Sequence, residues 1–221
     1  MKKILAFNGS PRSAGNTTHL LREFIRGAEE NSGVPETCYS HRLSLEDCTG
    51  CLRCNVLKKC AVTGDDWSRL HNRILESDVL VFATPIYFHH LPASLKRVLD
   101  RFRSFAHVQI TETGLIHTPH QPWNKDFVLI LTMGSPDASD AQPVIDLFRY
   151  VSNIMGPENR LHVITGTRLA MVNQVVKTEE ELSDLYRKMK LPEYLAGEDF
   201  RRNRKLLDRC HALGRKLSES G

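Results

Sequence analysis

The sequence predicts a three-layer, doubly wound α/β domain around a five-stranded parallel sheet, and three observations carry that expectation. Short apolar runs alternate with helical stretches from residue 3 to about residue 170, the pattern of strands joined by crossover helices. One run, Val79-Leu80-Val81-Phe82-Ala83, contains no polar residue, as befits a strand covered on both faces. A polar loop opening on Asn8-Gly9-Ser10-Pro11 leads from the first run straight into the first helix, as in a βα unit.

Taken in order, residues 3–7 give the first strand and 17–30 the first helix. Residues 37–43 are the most polar of the strands and are therefore expected at an edge. A cysteine-rich loop, 48–60, precedes a helix at 66–76, and 79–83 is the third strand. The next helix, 92–105, starts at Pro92, where a missing N–H costs nothing. Residues 107–124, with Gly114, Pro119 and Pro122, lack a period and read as a long irregular loop lying over a site. The fourth strand at 127–132, a helix at 140–155 and the fifth strand at 161–165 complete the sheet. Residues 179–219 read as two charged helices broken near Pro192 and Gly197. The division expected is a domain at 1–170 and a helical extension at 171–221.

A length of 221 residues suits one domain with a sizeable core, and the net charge of +4 is modest. The excess cations between Arg187 and Lys216 fall at helical spacing with few aromatics, which marks a solvated helix face; no nucleic-acid partner is expected. The apolar start Ile4-Leu5-Ala6-Phe7 is cut short by Asn8-Gly9-Ser10, too soon for a signal peptide, and no stretch approaches a membrane span. A cytoplasmic location is the expectation.

Four of the six cysteines, Cys48, Cys51, Cys54 and Cys60, fall within thirteen residues. Spacers of two residues let three thiolates converge from one loop, and a five-residue spacer brings round a fourth, the ligand set of a 4Fe-4S cluster. Gly50 permits the sharp turn, and Arg53, Lys58 and Lys59 offset the thiolate charge. Zinc ordinarily takes two separated cysteine pairs, and a disulfide knot suits a secreted chain; reduced cysteines packed as small apolar groups are the remaining alternative. Cys38 and Cys210 have no partner at ligand spacing and read as packing residues, as do Trp67 and Trp123.

The loop after the first strand is built for an anion. A helix start offers unpaired N–H groups, and Ser10, Ser13, Asn16, Thr17 and Thr18 add hydroxyl and amide donors, with Arg12 as a charged fork. Neither a Gly-Lys-Ser/Thr ending nor a Gly-x-Gly-x-x-Gly is present, so a nucleoside triphosphate or dinucleotide loop is not expected. A single terminal phosphate, as in FMN, suits a hydroxyl-rich turn; the plain alternative is an N-cap with a Gly turn.

With these motifs in hand, the chain resembles the flavodoxin-like NAD(P)H-dependent FMN reductases, and within them the iron-sulfur flavoproteins. The resemblance rests on Gly9-Ser10-Pro11-Arg12 with Gly15-Asn16-Thr17, on the four cysteines running to Asp65-Asp66, and on Thr84-Pro85-Ile86-Tyr87-Phe88 followed by Leu95-Lys96 and Leu99-Asp100-Arg101. It implies a flavodoxin-like fold with FMN held non-covalently: Ser10, Arg12, Asn16, Thr17 and Thr18 on the phosphate, Pro85, Ile86, Tyr87 and Phe88 along the ring, and Gly134 and Ser135 in a third flavin loop. It implies a flavin exchanging electrons with a 4Fe-4S cluster on Cys48, Cys51, Cys54 and Cys60 in the same crevice, NAD(P)H as possible cosubstrate, and no side-chain acid or base. Small molecules or proteins serve as electron donor or acceptor, and homodimers or homotetramers bring one subunit's cluster towards another's flavin. Two alternatives stand beside it: a cluster-free NAD(P)H-dependent FMN or quinone reductase, and a non-catalytic flavin electron carrier.

Overall fold

The computed structural model describes residues 1–219. In chain order its elements are β1 (Lys3–Asn8), α1 (Asn16–Glu30), β2 (Val34–Tyr39), α2 (Cys54–Leu57), α3 (Trp67–Glu76), β3 (Val79–Pro85), α4 (Ala93–Arg101), β4 (Ala106–Thr111), β5 (Gly114–Pro119), β6 (Asp126–Thr132), α5 (Gln142–Met155), β7 (Arg160–Gly166), α6 (Glu179–Met189) and α7 (Leu195–Leu217). Five strands form one parallel sheet in the order β2-β1-β3-β6-β7. The order reverses direction at β1, and the crevice rule for open sheets places a ligand site beyond the C-terminal ends of β1 and β3.

Alternation along each strand sorts side chains by size onto two faces. Leu5, Phe7, Leu80, Phe82, Phe127 and Leu129 point to one face, where α3, α4, the 3-10 turn after α4 and α5 cover them with Trp67, Leu95, Phe102, Phe105 and Phe148. Ile4, Ala6, Val79, Val81, Ala83, Val128 and Ile130 make the other, lower face, covered by α1 and α7 through Leu20, Phe24, Leu206, Leu207 and Cys210. Small strand residues leave little depth there, and the two helices meet backbone to backbone. A Cβ on Gly27 would stand 2.0 Å from the His211 carbonyl oxygen, and one on Gly214 would stand 2.0 Å from that of Phe24.

Three sequence expectations change. Residues 107–119, within the stretch read as irregular, belong with Ala106 to the antiparallel hairpin β4–β5, closed by Thr111 Oγ1 donating to the Gly114 carbonyl at 3.0 Å. It escaped because only Ala106 and Val108 are buried while the larger apolar residues Ile110, Leu115 and Ile116 face outward, leaving an alternation too short to mark a period. β2 starts at Val34 and includes Pro35, which an edge strand tolerates because one side needs no N–H partner. The break between the last helices spans 190–194, opening at Lys190 in the left-handed region (φ +56°) and containing Pro192 as expected, whereas Gly197 lies inside α7.

Candidate functional site

A crevice of about 120 Å³ opens at the C-terminal ends of β1, β3 and β6, lined by Ser10, Arg12, Asn16 and Thr17 on one side and Pro85, Ile86 and Tyr87 on another. Thr132, Met133 and Gly134 floor it, and Leu169 and Ala170 close its third side. The loop after β1 is sewn to itself. Ser10 N donates to Asn8 Oδ1 at 2.9 Å, Arg12 N to Ser10 Oγ at 3.2 Å, and Gly15 N to the Arg12 carbonyl at 3.1 Å. Gly15 is the residue before α1 and supplies no side-chain cap; a Cβ there would meet Ser10 Oγ at 2.9 Å. The N–H groups of Asn16, Thr17 and Thr18 therefore have no acceptor among the described residues and carry the positive end of the α1 dipole.

Those N–H groups, with the Ser10 hydroxyl and the Arg12 guanidinium, are the open donors; the side chains of Asn16, Thr17 and Thr18 are engaged elsewhere. Asn16 Nδ2 donates to the carbonyls of Leu169 (3.0 Å) and Met171 (2.7 Å), while its Oδ1 accepts from Val175 N (2.9 Å). Thr17 Oγ1 bonds Thr132 Oγ1 at 2.6 Å, and Thr18 Oγ1 turns inward to Asn8 Nδ2 and the Arg12 carbonyl. Thr18 consequently lies behind the crevice wall. Arg12 reaches the Ala170 carbonyl at 3.2 Å. Local spacing had no means of indicating Leu169 and Ala170, which arrive from beyond β7.

The second loop turns sharply at its tip. Tyr87 and His90 exchange backbone hydrogen bonds at 3.0 and 2.9 Å, and Phe88 (φ +48°) and His89 (φ +60°) between them both adopt the left-handed conformation. Positive φ at both central positions defines a type I′ turn, which costs non-glycine residues backbone strain. The Phe88 side chain is fully exposed, so it stands outside the crevice while Tyr87 lines it. In the third loop, Gly134 lines the crevice; Ser135 does not, its Oγ accepting from Asp137 N and its carbonyl from Arg168 N.

All four clustered cysteines line one cavity together with Arg101, Arg103 and Ser104. Cys54 is buried, which pushes its thiol up despite the neighbouring Arg103, whose Nη1 lies 3.4 Å from Cys54 Sγ. Cys51 is exposed, and its thiol is held down by the Arg53 N–H and the Thr49 hydroxyl. Among the described residues, no three His, Cys, Asp or Glu side chains converge on a single ion position. A lone tetrahedral zinc needs sulfurs about 3.8 Å apart, from Zn–S bonds of about 2.3 Å. A cubane binds each thiolate to a different iron and so takes a wider set. Four thiols on one cavity with two arginines beside them fit that group in donor type and charge. The cavity itself is about 20 Å³, room for about one water. A cubane would therefore require the 48–60 loop to spread.

No residue lines both cavities. The crevice sits at the start of α4, where Leu95 meets Gly9, and the cysteine cavity at its end, at Arg101. Leu95 and Arg101 are six residues apart on α4, about 9 Å along its axis. The expectation of one shared crevice is corrected: the two features are separate cavities with no lining residue in common.

The stems of the cysteine loop are pinned by a buried ion pair. Arg101, fully buried, donates from Nη1 to Asp65 Oδ2 (2.6 Å) and the Glu46 carbonyl (2.8 Å), and from Nη2 to the Val62 carbonyl (3.3 Å). Burial alone would raise the Asp65 carboxyl, but Arg101 and the N–H groups of Glu46 and Trp67 outweigh it and hold it below the ordinary 3.8. A carboxylate depressed by folding stabilises fully above its unfolded value and loses that contribution as the pH falls through the folded one. Urea midpoints are therefore expected to drop as the pH is lowered below 3.8, and Asp65→Asn should remove part of that dependence.

A parallel sheet with an anion-ready helix start at its switch point defines a flavodoxin-like α/β protein. The chain belongs to the NADPH-dependent FMN reductase family, whose model matches residues 2–174. An iron-sulfur flavoprotein of Methanocaldococcus jannaschii is 34% identical over 101 residues, covering 46% of this chain and 52% of that one. A Bacillus subtilis protein described as an NAD(P)H-dependent FMN-containing oxidoreductase, YwqN, is 25% identical over 162 residues, covering 73% and 83%. The chain spans about half the length of the iron-sulfur flavoproteins it matches. In fold, an NAD(P)H:quinone oxidoreductase from Methanothermobacter marburgensis superposes with a TM-score of 0.63 at 15% identity, over 98% of both chains. Among the described residues, no helix is long and apolar enough to cross a membrane.

Proposed function

We propose that the chain is an FMN-dependent NAD(P)H oxidoreductase that couples its flavin to a 4Fe-4S cluster on Cys48, Cys51, Cys54 and Cys60. The carrying observation is that these four cysteines, and neither Cys38 nor Cys210, line one cavity. In the crevice the N–H groups of Asn16, Thr17 and Thr18 donate to the phosphate oxygens, with Ser10 and Arg12 beside them. Pro85, Ile86 and Tyr87 flank the ring, Gly134 lets it approach the third loop with Ser135 behind, and Phe88 forms the outer lip. FMN held by these residues would supply two-electron exchange with a nicotinamide and one-electron exchange with a cluster. The residues orient and enclose; none acts as an acid or base. With the two features at opposite ends of α4, exchange runs between subunits of a homodimer or homotetramer, and the electron acceptor is a small molecule or a protein.

Anaerobically isolated protein is expected to contain about four irons and four acid-labile sulfides per chain, with flavin and cluster absorption in one visible spectrum. The tightness of the cysteine cavity favours a second reading, a cluster-free reductase with free thiols. Steady NAD(P)H oxidation by flavin-loaded protein without iron or sulfide would establish that reading and sink the first.

A further inference from the structure

We propose that Asp199, on α7 and outside the residues matched by the family model, is a positioning residue for the phosphate end of the crevice, acting through residues 167–176. The proposal rests on the reading that FMN occupies that crevice. Asp199 is 1% exposed. Its Oδ1 accepts from Arg168 Nε at 2.9 Å and pairs with Arg202 Nη1 at 2.6 Å; its Oδ2 accepts from the Tyr186 hydroxyl at 2.5 Å. Tyr186 in turn accepts from Gln174 Nε2 at 3.0 Å. Arg202 Nη2 donates to the Thr167 carbonyl at 3.1 Å. One buried carboxylate thus grips both ends of the 167–176 segment, through Arg168 and Arg202 at its start and through Tyr186 and Gln174 near its end.

The segment so held grips the phosphate loop. The Leu169 and Met171 carbonyls accept from Asn16, Val175 N donates to Asn16, and the Ala170 carbonyl accepts from Arg12. Asn173 N donates to the Ala14 carbonyl at 3.1 Å, and Asn173 Oδ1 bonds His19 Nε2 at 2.8 Å. These bonds end on residues 12–19, the stretch whose N–H groups are open; two more, Leu169 N to the Met133 carbonyl (2.8 Å) and Arg168 N to the Ser135 carbonyl (3.0 Å), tie the segment to the third loop, and none reaches Pro85, Ile86 or Tyr87. Arg168 also sits in the left-handed region (φ +53°), a conformation that persists only while its surroundings hold it. Burial, and then Asp199, push the Tyr186 hydroxyl up to about 12, so it remains a donor at any working pH. Loss of the carboxylate leaves two guanidiniums facing a neutral group, frees Arg168 to follow the exposed Glu198, and lets the 167–176 segment shift off Asn16.

The test compares FMN with riboflavin, which lacks the phosphate, by flavin-fluorescence titration of the full chain. Asp199→Asn is expected to weaken FMN by about tenfold or more, the worth of one charge-assisted hydrogen bond. Riboflavin affinity is expected to fall clearly less than FMN affinity, because the loop of Pro85, Ile86 and Tyr87 has no bond to the segment, which meets the ring side only through the Met133 and Ser135 carbonyls. Tyr186→Phe, which removes one hydroxyl and keeps the packing, should weaken FMN by about threefold with the same selectivity and covers the case in which Asp199→Asn does not fold. Equal losses for both flavins, or no loss for either, would overturn the positioning role. A wild-type chain that binds the two flavins equally would instead overturn the phosphate reading itself, and the proposal with it.

Discussion

Gly27→Ala is expected to destabilise the fold by about 3 kcal/mol, although the same exchange in an exposed helix stabilises by about 1 kcal/mol. The sign is decided by the neighbour. The new methyl would meet the His211 carbonyl at 2.0 Å, and a backbone oxygen inside α7 cannot rotate aside as a side chain would. Relief requires α7 to back away from α1, which thins the contacts of Leu206, Leu207 and Cys210 with the sheet. Gly214→Ala has the reciprocal effect through the Phe24 carbonyl. One displacement clears both clashes, so the double variant should cost clearly less than the two losses added together. Urea midpoints of the three variants check this; a stabilised Gly27→Ala would mean that the helices stand further apart than described.

Arg101→Met is expected to cost about 3–5 kcal/mol, because it leaves the Asp65 carboxylate buried without its partner. Methionine keeps much of the volume, so the loss measures charge rather than a void. The guanidinium also lies over the Trp67 ring at 5.2 Å, and its bonds to the Glu46 and Val62 carbonyls hold the chain on either side of residues 48–60. A variant that replaces both Arg101 and Asp65 with apolar residues should recover a large part of the stability, since desolvation of two ions offsets much of what the pair contributes. Denaturation midpoints of the single and double variants decide it: equal losses in both would show that packing, not charge, is what Arg101 provides.

What was legible in the sequence was local. The unbroken apolar run of β3 and the polar loop into α1 carry their own signatures, and both elements stand where those signatures put them. The four cysteines converge on one cavity because their spacing is short enough for one loop to direct them. What escaped was set by distant chain. Asn16 is a plausible phosphate donor by its neighbours, yet its amide is claimed by carbonyls 153 and 155 residues away. Phe88 belongs to a flavin-type loop by motif, but a left-handed turn points it away from the crevice. The β4–β5 hairpin was hidden for a simpler reason: beyond Ala106 and Val108 its apolar side chains face water, so the alternation that reveals a half-buried strand is too short to be read.

The backbone contact between α1 and α7 also bears on how the molecule is made. Until residues 195–217 have left the ribosome, Val81, Val128, Ile130 and Ile164 lack the helix that completes their cover, whereas the aromatic side of the sheet can already close over with α3, α4 and α5. A nascent chain halted shortly before that point carries one finished face and one sticky one, the kind of species that chaperones retain.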